Sequence, residues 1–167
     1  MKKFPAVISF VGLHNSGKTT LLTKIIPRLE KKGLRIGVVK HTHHHDFEID
    51  RQGKDSYELR KAGAEAVLVA SRQKIAFIQN HKPPAWQKLI HLFRGVDMLL
   101  VEGDKHSSLP KIEVYRRILN QKPIYPKLKR VIAVCSDTVL RTRLKQFSIE
   151  NPKTIADSLL KQVKHHG

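Results

Sequence analysis

Cysteine and long hydrophobic runs are scarce in this sequence. Of its 167 residues only one is a cysteine, Cys135, so a single chain can form neither an internal disulfide nor a cysteine-based zinc site. A protein that uses no disulfide fits a reducing compartment, and we predict a cytoplasmic location. No apolar run approaches the roughly 18 residues that a membrane-spanning helix needs, so we expect no membrane partner.

Acidic residues are also few in comparison with basic ones. The chain has 14 Asp and Glu residues against 32 Lys and Arg residues, which gives a formal net charge of +18. This excess predicts an anionic partner: a nucleotide, a phosphorylated metabolite, nucleic acid or an acidic protein. No RNA- or DNA-binding motif accompanies the charge, so we expect no specific nucleic-acid binding. The length predicts one domain over residues 1–167.

A phosphate-binding pattern lies near the start of the chain. Residues 12–19 read Gly-Leu-His-Asn-Ser-Gly-Lys-Thr, which matches G-x-x-x-x-G-K-[ST] at every fixed position. A predicted strand enters this segment and a predicted helix leaves it, so its backbone N–H groups and the helix N-terminus form a nest for anions. A glycine-rich turn with a purely structural role is the alternative.

Each residue type in this pattern has a chemical role in binding a nucleoside triphosphate. The glycines let the backbone curl, Lys18 supplies a cation for the β- and γ-phosphates, and the Thr19 hydroxyl can ligate Mg²⁺. Thr20 faces the α-phosphate in this hypothesis. The candidate nucleotide contacts are Gly12, His14, Asn15, Ser16, Gly17, Lys18, Thr19 and Thr20.

Strand-like and helix-like segments alternate along the chain. This alternation, with the phosphate-binding pattern, predicts an α/β fold: a three-layer P-loop NTPase whose mostly parallel sheet is flanked by helices, with a β-hairpin extension. The predicted strands cover residues 6–11, 34–39, 96–101, 112–115 and 131–134, the predicted hairpin covers residues 66–78, and the predicted helices cover residues 19–32, 56–62, 83–92, 138–147 and 154–164.

An acidic residue at the end of a neighbouring strand is needed to hold Mg²⁺. Asp97 and Glu102 bracket the apolar segment Met-Leu-Leu-Val. Ligands bind at the C-terminal edge of a parallel sheet, where Glu102 is expected, whereas Asp97 would lie at the opposite end of the strand. We therefore predict Glu102, with Thr19, as the metal ligand; Glu102 as a simple loop cap is the alternative.

Histidines are frequent at two places that are expected near the phosphate edge. One, His14, lies in the phosphate-binding pattern, and the others lie in residues 41–45: His41, His43, His44 and His45. Their imidazole groups are ligands that zinc and nickel favour. Neighbouring side chains on an extended segment point apart, so contact with an anion is the preferred interpretation. A metal site and a plain solvated loop remain open.

Two further segments carry alternatives. Gly53-Lys54-Asp55-Ser56 is either a second phosphate contact leading into a helix, with Asp55 or Ser56 as its N-cap, or only the cap. Asp137 follows a predicted strand, and its carboxylate can accept hydrogen bonds from guanine or cap a helix that begins at residue 138.

Four stretches of the chain resemble the molybdopterin-guanine dinucleotide biosynthesis protein B family over about residues 5–160. They are residues 12–20 (GLHNSGKTT), residues 40–50 (KHTHHHDFEID), residues 53–64 (GKDSYELRKAGA), and residues 101–105 (VEGDK) with residues 110–114 (PKIEV). Many NTPases share the first stretch, whereas the second and third together are far more specific. Asp104 departs from the expected pattern, where an aromatic or apolar residue would stand.

The resemblance implies a GTP-binding adapter with weak GTPase activity that acts in attaching GMP to molybdopterin. The partners that it implies are GTP, the molybdenum cofactor guanylyltransferase and molybdopterin, while Mg²⁺ as cofactor is predicted by the phosphate-binding pattern itself. The resemblance also implies a homodimer, to whose interface we assign the hairpin of residues 66–78. The family's functional positions carry over to the phosphate-binding residues and to Asp50, Lys54, Asp55 and Glu102.

Some functional questions stay open at the level of sequence. The Asn-Lys-x-Asp guanine signature is absent, so guanine preference rests on the resemblance, and no residue stands out to position an attacking water. One alternative is a P-loop kinase of a small anionic substrate, with Arg116 and Arg117 near the γ-phosphate. Another is a metallochaperone-type GTPase that uses the histidines of residues 41–45.

Overall fold

The structure, a computed structural model, describes residues 4–42, 47–79 and 86–165. These residues belong to two compact units, a larger one formed by Met1–Thr42 with Gln87–Gly167 and a smaller one formed by His43–Trp86. The elements, in chain order within each type, are β1 (Ala6–Val11), β2 (Ile36–Lys40), β3 (Ala66–Ala70), β4 (Ile75–Gln79), β5 (Met98–Glu102), β6 (Lys111–Tyr115), β7 (Val131–Ser136) and β8 (Lys145–Ser148), and α1 (Lys18–Glu30), α2 (Asp55–Lys61), α3 (Trp86–Leu89) and α4 (Pro152–His165).

A six-stranded parallel sheet organises the larger unit. Its strand order is β2-β5-β1-β6-β7-β8, and every neighbouring pair is parallel. The central strand β1 therefore lies between β5 and β6, and the three strands end at the same edge of the sheet. The predicted α/β fold with a parallel sheet is confirmed.

The hydrophobic core lies between one face of this sheet and the helices α1 and α4. Ile8 and Phe10 of β1 pack with Ile25 of α1 and with Ile155 and Leu159 of α4, and all five side chains are buried. Leu21, Leu22, Ile25 and Leu29 follow the helical period, which is why the sequence predicted α1. The helix continues through Pro27 to Glu30, and Gly33 follows it with a φ of +83°.

The opposite face of the sheet is covered by a 3₁₀ turn and by irregular segments. Phe93, at the end of the 3₁₀ turn Ile90–Phe93, reaches Gly37, where an added Cβ would lie 2.8 Å from its ring. The buried Lys111 ammonium donates hydrogen bonds to three backbone carbonyls, among them Leu109 at 2.9 Å. Glu113 accepts from the backbone N–H of Ile124 at 2.8 Å. Buried polar side chains thus attach these segments to the sheet.

The sixth strand, β8, replaces the helix that the sequence predicted over residues 138–147, and that prediction is wrong. Residues 138–144 form no helix, and β8 pairs with β7. The Gln146 side chain bonds the backbone N–H and carbonyl of Leu140, at 2.9 and 2.8 Å, so a side chain satisfies backbone groups that a helix would have paired. Val139 is exposed, whereas Phe147 joins the core.

The predicted helix over residues 83–92 is shorter than expected. Residues 83–85 lie outside the described part of the chain, and α3 ends at Leu89 before the 3₁₀ turn Ile90–Phe93. None of the helices in the described part of the chain combines the length and the apolar character needed to cross a membrane.

The smaller unit consists of α2 and an antiparallel hairpin. β3 pairs with β4 so that Leu68 lies opposite Phe77, and α2 packs against β3. The Ser71 hydroxyl accepts from the N–H groups of Gln73 and Lys74, at 3.3 and 3.0 Å, and so closes the turn. The predicted hairpin is confirmed. The single domain over residues 1–167 stays a prediction.

Candidate functional site

The loop between β1 and α1, residues 12–17, is tightly curled. Gly12 has a φ of +153°, and a Cβ added to it would lie 2.3 Å from the Val114 carbonyl oxygen. Asn15 and Gly17 also have positive φ angles, of 58° and 83°. Only glycine tolerates the crowded position 12. The β1–α1 loop therefore has the close backbone approach that the sequence pattern predicts.

The Lys18 ammonium folds back over this loop. Its Nζ donates to the Leu13 carbonyl at 2.8 Å and lies 3.4 Å from the Ser16 hydroxyl. Partial burial lowers the pKa of Lys18 below its usual value, the carboxylate of Glu102 raises it, and the ammonium groups of Lys105 and Lys40 lower it further. A lysine held against other cations gains from an anionic partner.

Thr19 and Glu102 form the central contact of the site. Thr19, in the first turn of α1, donates through Oγ1 to the two carboxylate oxygens of Glu102, at 2.8 and 3.0 Å. Glu102 is the last residue of β5, pairs in register with Phe10 of β1, and is only 9% exposed. A hydroxyl and a carboxylate are hard oxygen donors of the kind that Mg²⁺ prefers beside phosphates, so this pair fits the ion.

Asp97, the other acidic residue that brackets this strand, lies at the opposite end of the sheet. Its carboxylate accepts hydrogen bonds from the backbone N–H and guanidinium of Arg35, at 2.7 to 3.1 Å. The Arg35 bonds also hold the pKa of Asp97 below its usual value. The structure therefore places Glu102, and not Asp97, at the edge where the β1–α1 loop lies, as the sequence predicted.

The backbone around Glu102 is fixed by close contacts with both neighbouring strands. The Gly103 N–H donates to the Phe10 carbonyl at 2.9 Å, and the His41 N–H donates to the Glu102 carbonyl at 2.8 Å. Gly103 has a φ of +99°, and an added Cβ would lie 2.8 Å from the His41 carbonyl oxygen. These contacts hold the backbone of Glu102 in a defined position.

Basic side chains surround this carboxylate. The Lys40 ammonium, at the end of β2, lies 4.0 Å from Glu102 Oε1, and Lys105 is close enough to lower the pKa of Lys18. The sequence pattern alone does not mark Lys40 and Lys105 as candidate contacts. Their positions at and just after the ends of β2 and β5 are the signal that could have identified them.

The remaining candidates of the β1–α1 loop differ in exposure. His14, Asn15 and Thr20 are exposed, whereas Ser16 is buried and donates its N–H to the Leu13 carbonyl at 3.3 Å. Thr20 lies on the first turn of α1, one residue beyond Thr19. Their contact with a nucleotide stays a prediction.

Asp50, Lys54 and Asp55 lie together in the smaller unit, at the start of α2. Asp50 accepts a hydrogen bond from the Ser56 hydroxyl at 3.0 Å, and its other oxygen lies 3.7 Å from Arg60 Nε. These contacts attach the segment before α2 to the helix itself. A role for the three residues in nucleotide binding stays a prediction.

Two predicted helix caps are wrong. The N-cap of α2 is Lys54, with no side-chain cap, because Asp55 and Ser56 lie inside the helix. The Ser56 hydroxyl donates instead to Asp50. No helix begins at residue 138, so Asp137 caps none. Its carboxylate instead accepts the N–H of Arg117 at 2.9 Å.

The histidine cluster can be described only in part. His41 is exposed, and His43, His44 and His45 lie outside the described residues. Among the residues that the structure does describe, no group of three or more His, Cys, Asp or Glu side chains is arranged to hold a metal ion. The metal-site interpretation of residues 41–45 is therefore not addressed by the structure.

Fold and site together define a class of protein. A parallel sheet whose central strand leads through a glycine-rich loop into a helix, with a carboxylate at the end of the adjacent strand, is typical of P-loop NTPase-like α/β proteins. The chain belongs to a particular family of that class, the molybdopterin guanine dinucleotide synthesis protein B family, whose model matches residues 7–137.

Individual relatives support this assignment. The chain is 40% identical over 159 residues to the molybdopterin-guanine dinucleotide biosynthesis adapter protein of Escherichia coli, covering 90% of this chain and 89% of that protein. It is 33% identical to the adapter protein of the same name from Haemophilus influenzae, covering 96% and 92%. The crystal structure of Bacillus subtilis MobB superposes with a TM-score of 0.74 at 29% identity, covering 95% and 98%.

Proposed function

We propose that this protein binds GTP with Mg²⁺ through the β1–α1 loop and acts as an adapter when GMP is attached to molybdopterin. The observation that carries the proposal is the hydrogen bond that the Thr19 hydroxyl shares between the two carboxylate oxygens of Glu102, at 2.8 and 3.0 Å, beside Lys18. The names of the relatives, molybdopterin-guanine dinucleotide biosynthesis adapter proteins, support the pathway.

Each part of the site has a defined task in this proposal. The N–H groups of the β1–α1 loop and of the first turn of α1 bind phosphate oxygens. Lys18 exchanges its carbonyl partner Leu13 for the β- and γ-phosphates, a stronger, charge-assisted contact. Thr19 and Glu102 would hold Mg²⁺, which when bound neutralises charge on the phosphates.

Hydrolysis is expected to be slow. Glu102 is assigned to Mg²⁺ in this proposal, and no other residue stands out in the sequence to orient an attacking water. Arginine or glutamine groups that act on the γ-phosphate account for large rate enhancements in fast NTPases. A protein that binds GTP but hydrolyses it slowly is suited to an adapter role, in which we expect the molybdenum cofactor guanylyltransferase and molybdopterin as partners.

A calorimetric titration of Lys18→Ala with GTP and Mg²⁺ tests the site. We expect binding to become undetectable, because the residue supplies the cation for the terminal phosphates. Lys32→Ala is the matched control, since it removes one positive charge from an exposed position after α1 and should leave the affinity within about threefold. Unchanged affinity in Lys18→Ala would contradict the proposed site.

The base preference needs a separate titration. With the unaltered protein and Mg²⁺ present, we expect that a large excess of ATP is needed to displace bound GTP. Equal displacement by the two nucleotides would contradict the proposed guanine preference without contradicting phosphate binding at the β1–α1 loop.

We further propose that the hairpin of the smaller unit forms a homodimer interface. Leu68, Ile75 and Phe77 are 58%, 72% and 60% exposed, and the register of β3 with β4 places all three on one face of the hairpin. An exposed apolar sheet face is a typical protein–protein contact. A second copy of the same chain would cover it with the same apolar face.

A further inference from the structure

A small pocket lies beside the β1–α1 loop, away from Glu102. Its volume is about 60 Å³, and its lining includes Gly17 and Thr20 from one side and Arg116 and Glu150 from the other. Neither Thr19 nor Glu102 lines it. Because β1 lies between β5 and β6, Glu102 at the end of β5 and Arg116 just after β6 stand on opposite flanks of the loop.

The Arg116 guanidinium in this pocket has an unused hydrogen-bond donor. Its Nε is buried and has no hydrogen-bond partner among the described residues. The same nitrogen lies only 3.9 Å from the position that a Cβ on Gly17 would take. A buried donor without a partner costs free energy, so an acceptor in the pocket would relieve this cost.

The present partner of Arg116 is weakly bound. Arg116 Nη2 lies 3.6 Å from Glu150 Oε1, and the two side chains are 42% and 69% exposed. Exposed pairs at such a distance contribute little to stability. A phosphate group, which arginine can bind through two parallel N–H···O bonds, is a stronger partner. The guanidinium can therefore exchange Glu150 for phosphate at small cost.

We propose that Arg116 binds the nucleotide on its α-phosphate side. This inference rests on the proposed function, in which Thr19 and Glu102 mark the position of the terminal phosphates on the β5 flank. The nucleoside must then leave the loop on the β6 flank, past Thr20 and Arg116. Arg116 contacts the α-phosphate there, while Glu150 holds the guanidinium in place until the nucleotide arrives.

The phosphate that Arg116 contacts distinguishes this proposal from a kinase-like role. An arginine that acts on the transferred phosphate contacts the γ-phosphate, which GDP lacks. An arginine on the α-phosphate contacts GTP and GDP alike. The ratio of the two affinity losses therefore reports which phosphate Arg116 binds.

Arg116→Ala, titrated with GTP and with GDP in the presence of Mg²⁺, tests the proposal. We expect both dissociation constants to rise about 10- to 100-fold and by the same factor, the loss of a hydrogen bond to a charged group. Arg117→Ala is the matched control: it removes the same charge from the adjacent exposed residue and keeps the backbone N–H that binds Asp137. Its affinities should stay within about threefold.

Two results would overturn the proposal: equal affinities in Arg116→Ala and Arg117→Ala, or a loss for GTP without a loss for GDP. If the unaltered protein binds GTP and Lys18→Ala does not, either result rejects the role of Arg116 while the proposed function stands. If the unaltered protein binds neither nucleotide, both proposals fail. If Arg116→Ala does not fold, the same titrations are made with Arg116→Gln, which keeps most of the side-chain stem.

Discussion

At the scale of single residues, Gly12 is the position with the least room for change. An added methyl group would meet the Val114 carbonyl oxygen at 2.3 Å and the Ser16 hydroxyl at 2.6 Å. Gly33 also has a positive φ, of +83°, but nothing lies within 4 Å of its added Cβ. Gly33 therefore reports the effect of a positive φ alone, whereas Gly12, with a φ of +153°, combines a positive φ with crowding.

Urea unfolding of Gly12→Ala and Gly33→Ala measures that difference. Gly33→Ala should cost about 1 kcal/mol for the left-handed conformation alone. Gly12→Ala should cost at least about 2 kcal/mol more, because an overpacked side chain forces the backbone to shift. Equal losses of the free energy of unfolding in the two variants would contradict the tight loop that we describe.

Cys135 gives a second prediction at the same scale. Burial raises the pKa of its thiol to about 12, and the residue is buried in the core between the sheet and the helices. The reactive thiolate is then scarce at neutral pH. We expect a thiol reagent to modify the folded protein only at the rate of unfolding, and the urea-unfolded protein rapidly. Fast, stoichiometric modification of the folded protein would show that the core is open at β7.

At the scale of elements, the hairpin of β3 and β4 carries the proposed dimer interface. Phe77→Lys should convert a dimer to a monomer in light scattering, because a charge would be buried in an apolar contact. Gln73→Lys adds the same charge in the exposed turn and should leave the dimer intact. A monomeric unaltered protein, or a Phe77→Lys variant that stays dimeric, would reject this interface.

Elements were predictable from the sequence where burial follows a local period. α1 and α4 place apolar residues at helical spacing against the sheet, and β1 and β5 are nearly continuous buried runs. β8 was missed because only Phe147 of its four residues is buried and its order depends on pairing with β7. Hydrophobic pattern alone does not reveal such a pairing.

The same distinction between local and distant contacts applies to the site. Lys18 and Thr19 follow from a contiguous pattern, and Glu102 follows from its position at a strand end. The place of Arg116 beside Gly17 depends on β6 lying next to β1, a contact between residues about a hundred positions apart. The sequence could single out this arginine but could not show which flank of the loop it occupies.

At the scale of the whole molecule, the net charge of +18 raises the local concentration of polyanions. Within the larger unit, Lys18 and Lys40 lie close to the ends of the central strands. Charge of this kind assists the approach of a nucleotide but does not select one. Recognition of the phosphates has to come from the fixed contacts at the β1–α1 loop, and the choice of base has to come from contacts to the base itself.

Amide chemical-shift mapping by NMR tests the central claim most directly. On addition of GTP with Mg²⁺ to the ¹⁵N-labelled protein, the largest shifts should fall on the backbone N–H groups of residues 12–20, and Mg²⁺ alone should not reproduce them. Lys18→Ala should abolish these shifts. Saturable shifts confined to other parts of the chain, with residues 12–20 unchanged, would contradict nucleotide binding at this loop.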